Sequence, residues 1–313
     1  MIRYLKAEEI DAKKWDNCIH EAYNSLIYAY SWYLDTVAGD WDALVLDDYQ
    51  AVMPLPVKKK YGLSYALQPR YTQQLGIFSR DPLSLEAQEN FFNAIPPSIH
   101  YLQLQANSHS HVPNALLVRK KTNHLLDLIQ TYPDLAKHFN THTKRQIKKS
   151  LANSCQIMEH LDTREIIDLF RWQDQEKKLG MGAEGLRILE NLINTATQKG
   201  ALLSIGMYSP VNHLCSAGLF LLDKQRIYYV AGASDQMGLE YRGMYRIFDH
   251  LIKRESGKNA ILDFEGSEIP GIARFFKGFG ASESHYPLIE RISPNWLKPF
   301  IRLKFASPKP TPK

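Results

Sequence analysis

Residues 226–292 read RIYYVAGAS, DQMGLEYRG, MYRIFDHLIKRES, GKN, AILDFEGS, EI, PGIARFFKGFG, ASES and HYPLIERI in nine consecutive blocks. The first is an apolar run closing on small residues, which predicts a strand. A glycine-bearing loop follows, then an amphipathic helix, a second apolar strand, a short helix with Pro270 at its start and a final strand. Strand, glycine-bearing loop, helix, strand is the order in which an α/β unit turns a helix N-terminus toward an anion. The rest of the chain reads as platform or companion to this unit.

At 313 residues the chain is long enough for about two domains and a sizeable core. Its 44% hydrophobic and 23% charged residues are those of a globular protein, and the formal charge of +5 favours an anionic partner such as phosphate, nucleic acid or an acidic glycan precursor. The opening MIRYLKAEEIDAKKW has no apolar run of signal-peptide length, and no stretch reaches the roughly 18 apolar residues of a membrane span. Cys18, Cys155 and Cys215 are odd in number and far apart, which fits idle thiols in a reducing compartment. The expected location is the cytoplasm, with no metal. His138 and His142 share a helical spacing, but no third ligand accompanies them, so they read as surface histidines.

Upstream, a short strand (IRYLKA), a helix from about Asp11 to Ala22 and the aromatic segment YAYSWYLDTVAG open the chain, with Tyr30, Tyr33, Leu34 and Val37 able to share one core face. WDALVLDD and AVMPLPVKKK predict a hairpin across Tyr49 and Gln50, with Pro54 and Pro56 at an edge or bulge. YALQPRYTQQLGIFSR reads as extended and rich in amides. Gln68, Gln73 and Gln74 either form a solvated face or line a cleft. PLSLEAQENFFNAI predicts a helix with Leu85, Phe91, Phe92 and Ile95 as its apolar members. DLAKHFNTHTKRQIKKSLANS predicts a basic helix in an inter-domain region, and the second half restarts the same grammar of strands and helices. QQLGIFS, helix, YLQLQANS echoes YYVAGAS, helix, ILDFEGS, so a duplicated fold is expected. The tail KFASPKPTPK, with residues 304–313, is expected to be disordered.

Three places carry candidate chemistry. The loop and helix start Tyr241, Arg242, Gly243 and Met244 offers free N–H groups and a guanidinium to a pyrophosphate or carboxylate, or is an ordinary helix start. In LDFEGSEIPG, Asp263, Glu265 and Ser267 alternate, which as a strand end places them on one face with Phe264 in the core. Glu265 or Asp263 then suits a general base, or Ser267 and Glu268 merely cap the next helix. Lys144, Arg145, Lys148 and Lys149 form a solvated helix face or contact phosphates. There is no G-x-S-x-G, H-E-x-x-H or C-x-x-C.

With these residues in view, the second half resembles the GNAT acyltransferase superfamily, and within it the Fem-type branch of aminoacyltransferases that build peptidoglycan bridges. The match rests on Leu262-Asp263-Phe264-Glu265-Gly266-Ser267, on Gly271-Ile272-Ala273-Arg274-Phe275-Phe276-Lys277, on Phe279-Gly280-Ala281 and on the TKRQIKKSL helix. It implies an α/β fold of tandem, duplicated GNAT-like domains with mixed, mainly antiparallel sheets flanked by helices, divided as residues 1–135 and 136–303. It also implies transfer of an acyl group from acyl-CoA, or an aminoacyl group from aminoacyl-tRNA, to an amine acceptor such as a muropeptide-like cell-wall precursor. Tyr241, Arg242, Gly243 and Met244 stand at the donor-phosphate loop, although the further glycines of that loop are replaced by Tyr245 and Ile247. The resemblance makes Ser267 and Lys277 acceptor contacts, and Lys144, Arg145, Lys148 and Lys149 contacts to a nucleotide or tRNA backbone; on the same acyltransferase reading Gln68, Gln73 and Gln74 line the acceptor cleft. The other readings are a non-catalytic protein of this fold that binds a nucleotide or nucleic acid, and an α/β protein with only a partner-binding role.

Overall fold

The computed structural model describes residues 1–60, 62–266 and 268–299. Ser267 and the tail 304–313 therefore lie outside the described residues. The chain forms two compact units, Met1–Lys121 with Tyr286–Lys313, and Thr122–His285. In chain order the first unit holds β1 (Ile2–Leu5), α1 (Ala12–Glu21), α2 (Ser31–Val37), β2 (Asp42–Leu46), β3 (Ala51–Leu55), β4 (Val57–Lys60), β5 (Leu63–Leu67), β6 (Phe78–Ser79), α3 (Leu85–Asn93) and β7 (Ile99–Gln105). Strand β8 (Leu117–Asp127) leads into the second unit, which continues with α4 (Tyr132–Lys137), α5 (Thr141–Leu151), β9 (Gln156–Glu159), α6 (Thr163–Lys177) and α7 (Gly182–Gln198). Next come β10 (Leu202–Tyr208), β11 (Leu214–Asp223), β12 (Arg226–Ser234), α8 (Gln236–Glu240), α9 (Gly243–Glu255), β13 (Ile261–Asp263) and α10 (Pro270–Gly278). Strand β14 (Ser282–Ile292) returns the chain to the first unit.

In the first unit Asp11 caps α1 by accepting from Lys13 N and Lys14 N, and the helix buries Trp15, Cys18 and Ile19. Strands β2 and β3 form the expected hairpin, Leu46 opposite Ala51. Strand β6 pairs with β3 only at Ala51 and Val52, so Pro54 lies beyond the last β6 pairing, where its missing N–H costs nothing. Helix α3 starts at the Ser84 cap and buries Phe91 and Phe92. Leu85, expected in the core, is 61% exposed because it occupies the first turn, away from the face that packs. QQLGIFS is not one strand. Leu75 makes a single parallel bridge to Ala106, and only Phe78 and Ser79 pair further, with β3.

In the second unit β9, β10, β11 and β12 form an antiparallel sheet; β12 then pairs in parallel with β13, which pairs antiparallel with β8. The first unit repeats the motif: β5 runs parallel to β7, which pairs antiparallel with β14, and α3 lies between the parallel strands in sequence as α9 does in the second. This is the expected duplication, although the counterpart of β12 is β5 and not QQLGIFS, where the sequence echo placed it. The single basic helix expected at 134–154 is two helices, because the Asn140 side chain accepts from Thr143 N and starts α5 afresh. Helix α9 buries Ile247, Phe248, Leu251 and Ile252. Phe248 stacks on Phe264 at 5.1 Å and meets Phe220 edge-on at 5.6 Å, within a cluster that also holds Phe276 and Phe279. Such ring pairs add about 0.5–1.5 kcal/mol each beyond their buried area, which fixes the floor on which the site stands.

Candidate active site

The site begins with a strand that outruns its neighbour. Strands β12 and β13 pair only at Arg226–Ile261, Ile227–Leu262 and Tyr228–Asp263. Strand β13 ends there, while β12 continues to Ser234 along β11. A register shift at Val230, the extra residue between the Leu219–Ala231 and Phe220–Tyr229 pairs, bends β12 at this point. On the far stretch of β12, Gln173 of α6 does the work of a partner strand: its Nε2 donates to Gly232 O (3.3 Å) and its Oε1 accepts from Ser234 N (3.0 Å).

A cavity of about 540 Å³ occupies this part of the unit. Tyr229, Gly232 and Ser234 of β12, Arg242 to Tyr245 at the start of α9, and Ile272, Phe275 and Phe276 of α10 line it, with Gln173 and Lys177 of α6. Arg242 holds a left-handed φ of 60° and is the N-cap of α9 without a capping side-chain bond. The helix start therefore faces the cavity without a side chain closing it, the arrangement that suits an anion. Gly243 is needed for another reason: a Cβ here would collide with Ser216 Oγ, so its absence seats α9 on β11. At Gly232 a Cβ would collide with the Tyr229 hydroxyl, which lies over the backbone. Burial, with the charge of Glu265 adding to it, pushes the Tyr229 phenol well above its ordinary value and keeps it protonated. Partial burial lowers the pKa of the Lys177 ammonium, which keeps some contact with solvent and whose Nζ donates to Gln173 Oε1 at 3.1 Å.

The expected alternation of Asp263 with Glu265 on one strand face does not occur. The strand stops at Asp263, and Glu265 and Gly266 take left-handed φ values of 57° and 49°. Asp263 is fully buried; its Oδ1 accepts from Asn123 Nδ2 and Glu265 N, both at 2.9 Å, and its Oδ2 from Arg226 Nη1 at 3.1 Å. Burial raises its carboxyl and Arg226 opposes that rise. Asp263 thus holds the turn that carries Glu265, which is half-buried. Phe264 is in the core as expected. Glu268 does not cap α10: the N-cap is Ile269, with Pro270 following.

The other expected residues are placed as follows. Arg242, Gly243 and Met244 line the cavity, whereas Tyr241 faces a second one, of about 790 Å³, on the other side of α8. There Asp235 caps α8 through Gly238 N and lies 2.6 Å from His213 Nε2, and Tyr208 donates to Glu165 at 2.5 Å. Lys277 pairs with Glu283 at 2.5 Å. Lys144, Arg145, Lys148 and Lys149 are all exposed on α5, whose His142 ring lies 6.0 Å from that of Tyr245 at the cavity. Gln68, Gln73 and Gln74 belong to the first unit. Gln68 accepts from Gln105 N (3.0 Å), Gln74 accepts from Ser108 N (3.0 Å) and donates to Gln73 (2.7 Å), so these amides bind the protein's own chain rather than face solvent. Sequence reasoning missed Tyr229, Gln173 and Lys177; only the small residues Ala231 to Ser234 hinted at a close approach. Among the described residues no group of three His, Cys, Asp or Glu side chains is placed to hold a metal ion, and no helix is long and apolar enough to cross a membrane.

No family model matches the sequence, and no curated protein matches it. Solved structures do. FemX superposes with a TM-score of 0.69 at 12% identity, over 96% of this chain and 99% of that one. The C-terminal domain assigned to a lysylphosphatidylglycerol synthetase of Agrobacterium fabrum gives 0.57 at 8% identity, over 94% and 95%. L-PGS from Bacillus licheniformis gives 0.54 at 12%, over 94% and 96%. With a parallel strand pair in each unit, the chain has a Fem-type GNAT-like fold.

Proposed function

We propose that this protein is an N-acyltransferase or aminoacyltransferase, with the donor seated where β12 outruns β13 and an amine as acceptor. The observation that carries the reading is the cavity shared by the stretch of β12 beyond its pairing with β13 and the uncapped start of α9. The donor's phosphates lie over the first turn of α9 and Arg242. The acceptor nitrogen attacks the donor carbonyl carbon, and the bond from that carbon to the leaving sulfur or ribose oxygen breaks. Glu265 takes the proton lost by the nitrogen, and Tyr229, kept neutral, gives one to the leaving atom and regains it from Glu265. Asp263 positions Glu265. On this reading the donor is acyl-CoA or aminoacyl-tRNA, Lys144, Arg145, Lys148 and Lys149 meet a nucleotide or tRNA backbone, and Ser267 and Lys277 serve the acceptor. The fold shared with FemX and with lysylphosphatidylglycerol synthetase domains favours a cell-envelope precursor as that acceptor, in the cytoplasm.

The test is amide formation by the purified chain from each donor class and a panel of amines, followed by mass spectrometry. Glu265→Gln is expected to lower kcat by about 10²–10⁴ with little change in donor affinity. Folded protein that transfers from neither donor class sinks the reading. The exposed cations of α5 favour a second reading, nucleic-acid binding without transfer; it requires affinity that falls steeply with salt and is indifferent to Glu265→Gln.

A further inference from the structure

The walls of the cavity sort by chemistry. Tyr229, Met244, Tyr245, Phe275 and Phe276 make an interior of rings and a thioether. At its rim Leu179, Leu239 and Ile272 are 52%, 46% and 40% exposed, although each is a large apolar side chain. They come from three places in the chain: the turn after α6, α8 and α10. Lone exposed apolar residues are ordinary, but three converging on one mouth mark a surface that an apolar ligand covers. The charged lining residues are Lys177 and Arg242, both exposed to solvent. Among the described lining residues there is no carboxylate.

We infer that the donor is an acyl thioester with an apolar chain of several carbons, its tail in this cavity and its anionic head against Arg242, Lys177 and the start of α9. The inference rests on the donor site proposed above and chooses between its two donor classes. An aminoacyl donor carries an α-ammonium beside the reacting carbonyl. In this cavity that ammonium meets the like charges of Lys177 and Arg242, which disfavours it. An alkyl chain meets none of these penalties, and each methylene it buries adds favourable transfer free energy. The exposed Leu239 and Ile272 then become the collar around the chain.

The experiment is calorimetric titration of the full chain with CoA, acetyl-CoA, hexanoyl-CoA and decanoyl-CoA. The expected result is a dissociation constant that falls about fourfold for each buried methylene, so that hexanoyl-CoA binds on the order of 10² tighter than acetyl-CoA. Ile272→Glu, at an exposed rim position where folding is preserved, is expected to flatten this dependence. Equal affinity for acetyl- and hexanoyl-CoA, or a chain-length dependence untouched by Ile272→Glu, overturns the inference while leaving the donor site standing. Absence of binding by every thioester, together with transfer from aminoacyl-tRNA, overturns it and keeps the transferase reading. Absence of both binding and transfer removes the two together.

Discussion

Arg226 and Asp263 lie opposite sides of the β12–β13 pair and meet at 3.1 Å, with the Asp263 side chain wholly withdrawn from water. Breaking such a pair leaves a buried charge alone, which costs about 3–5 kcal/mol. Arg226→Met is therefore expected to lower unfolding stability by that amount in urea titrations. Adding Asp263→Asn should recover much of it, because the amide leaves no unpaired charge and still accepts from Glu265 N. A double variant no more stable than the single one contradicts this account.

Gly232 and Tyr229 form a second coupled pair. Gly232→Ala is expected to cost about 1–3 kcal/mol, since its methyl group occupies the space of the Tyr229 hydroxyl. Tyr229→Phe removes that oxygen, so the double variant should regain stability while remaining inactive for want of the proton donor. Denaturation and transfer assays on the four proteins of the cycle separate the packing role of Tyr229 from its chemical one.

At Arg242 stability and binding are expected to move in opposite directions. The left-handed backbone burdens a side chain by about 1–2 kcal/mol, of which the greater freedom of glycine in the unfolded chain takes back a part. Arg242→Gly should raise the melting temperature slightly and weaken the donor. Arg242→Ala should weaken the donor without the gain. Donor affinity unchanged in both variants excludes Arg242 from the phosphate site.

His124 gives the fold an acid-sensitive point. Its ring is buried against Phe276, and neither nitrogen has a hydrogen-bond partner among the described residues. Burial lowers its pKa, opposed by Glu283, whose carboxylate is 3.9 Å from Nε2, and reinforced by Lys277. In the unfolded chain histidine titrates near pH 6.5 (roughly), so below that value the unfolded state takes up a proton that the folded state resists. The stability linked to this residue is complete above that pH and is lost as pH falls below it. His124→Phe should reduce the loss measured by urea unfolding between neutral and mildly acidic pH; an identical pH slope in the variant refutes this.

Much of this was legible in the chain itself, and for physical reasons. The apolar runs of Arg226–Ser234 and Ala260–Phe264, with an amphipathic helix between them, have the periods of two strands and a crossover helix. Arg242 and Gly243 stood out because a charged residue and a glycine adjoin a helix start. What stayed hidden depended on contacts distant in sequence. Gln173 looks like any polar residue of an amphipathic helix until Gly232 and Ser234 need a hydrogen-bond partner. Glu265 appeared to continue a strand because alternation says nothing about where pairing stops. Gln74 looked available for a ligand because the backbone it serves, at Ser108, lies more than thirty residues away.

The closing strands of the two units cross over in sequence: β7 of the first is paired by β14 from near the end of the chain, whereas β13 of the second is paired by β8, which precedes everything else in that unit. For a polypeptide made from its N-terminus this sets an order of completion. The unit synthesised first must wait, its β7 edge uncovered, until Leu288–Ile292 has been made, while the unit synthesised second has its closing strand in hand from the outset. A ribosome-stalled chain whose emerged part ends after α10 should accordingly protect the donor cavity, and not β7, against proteolysis.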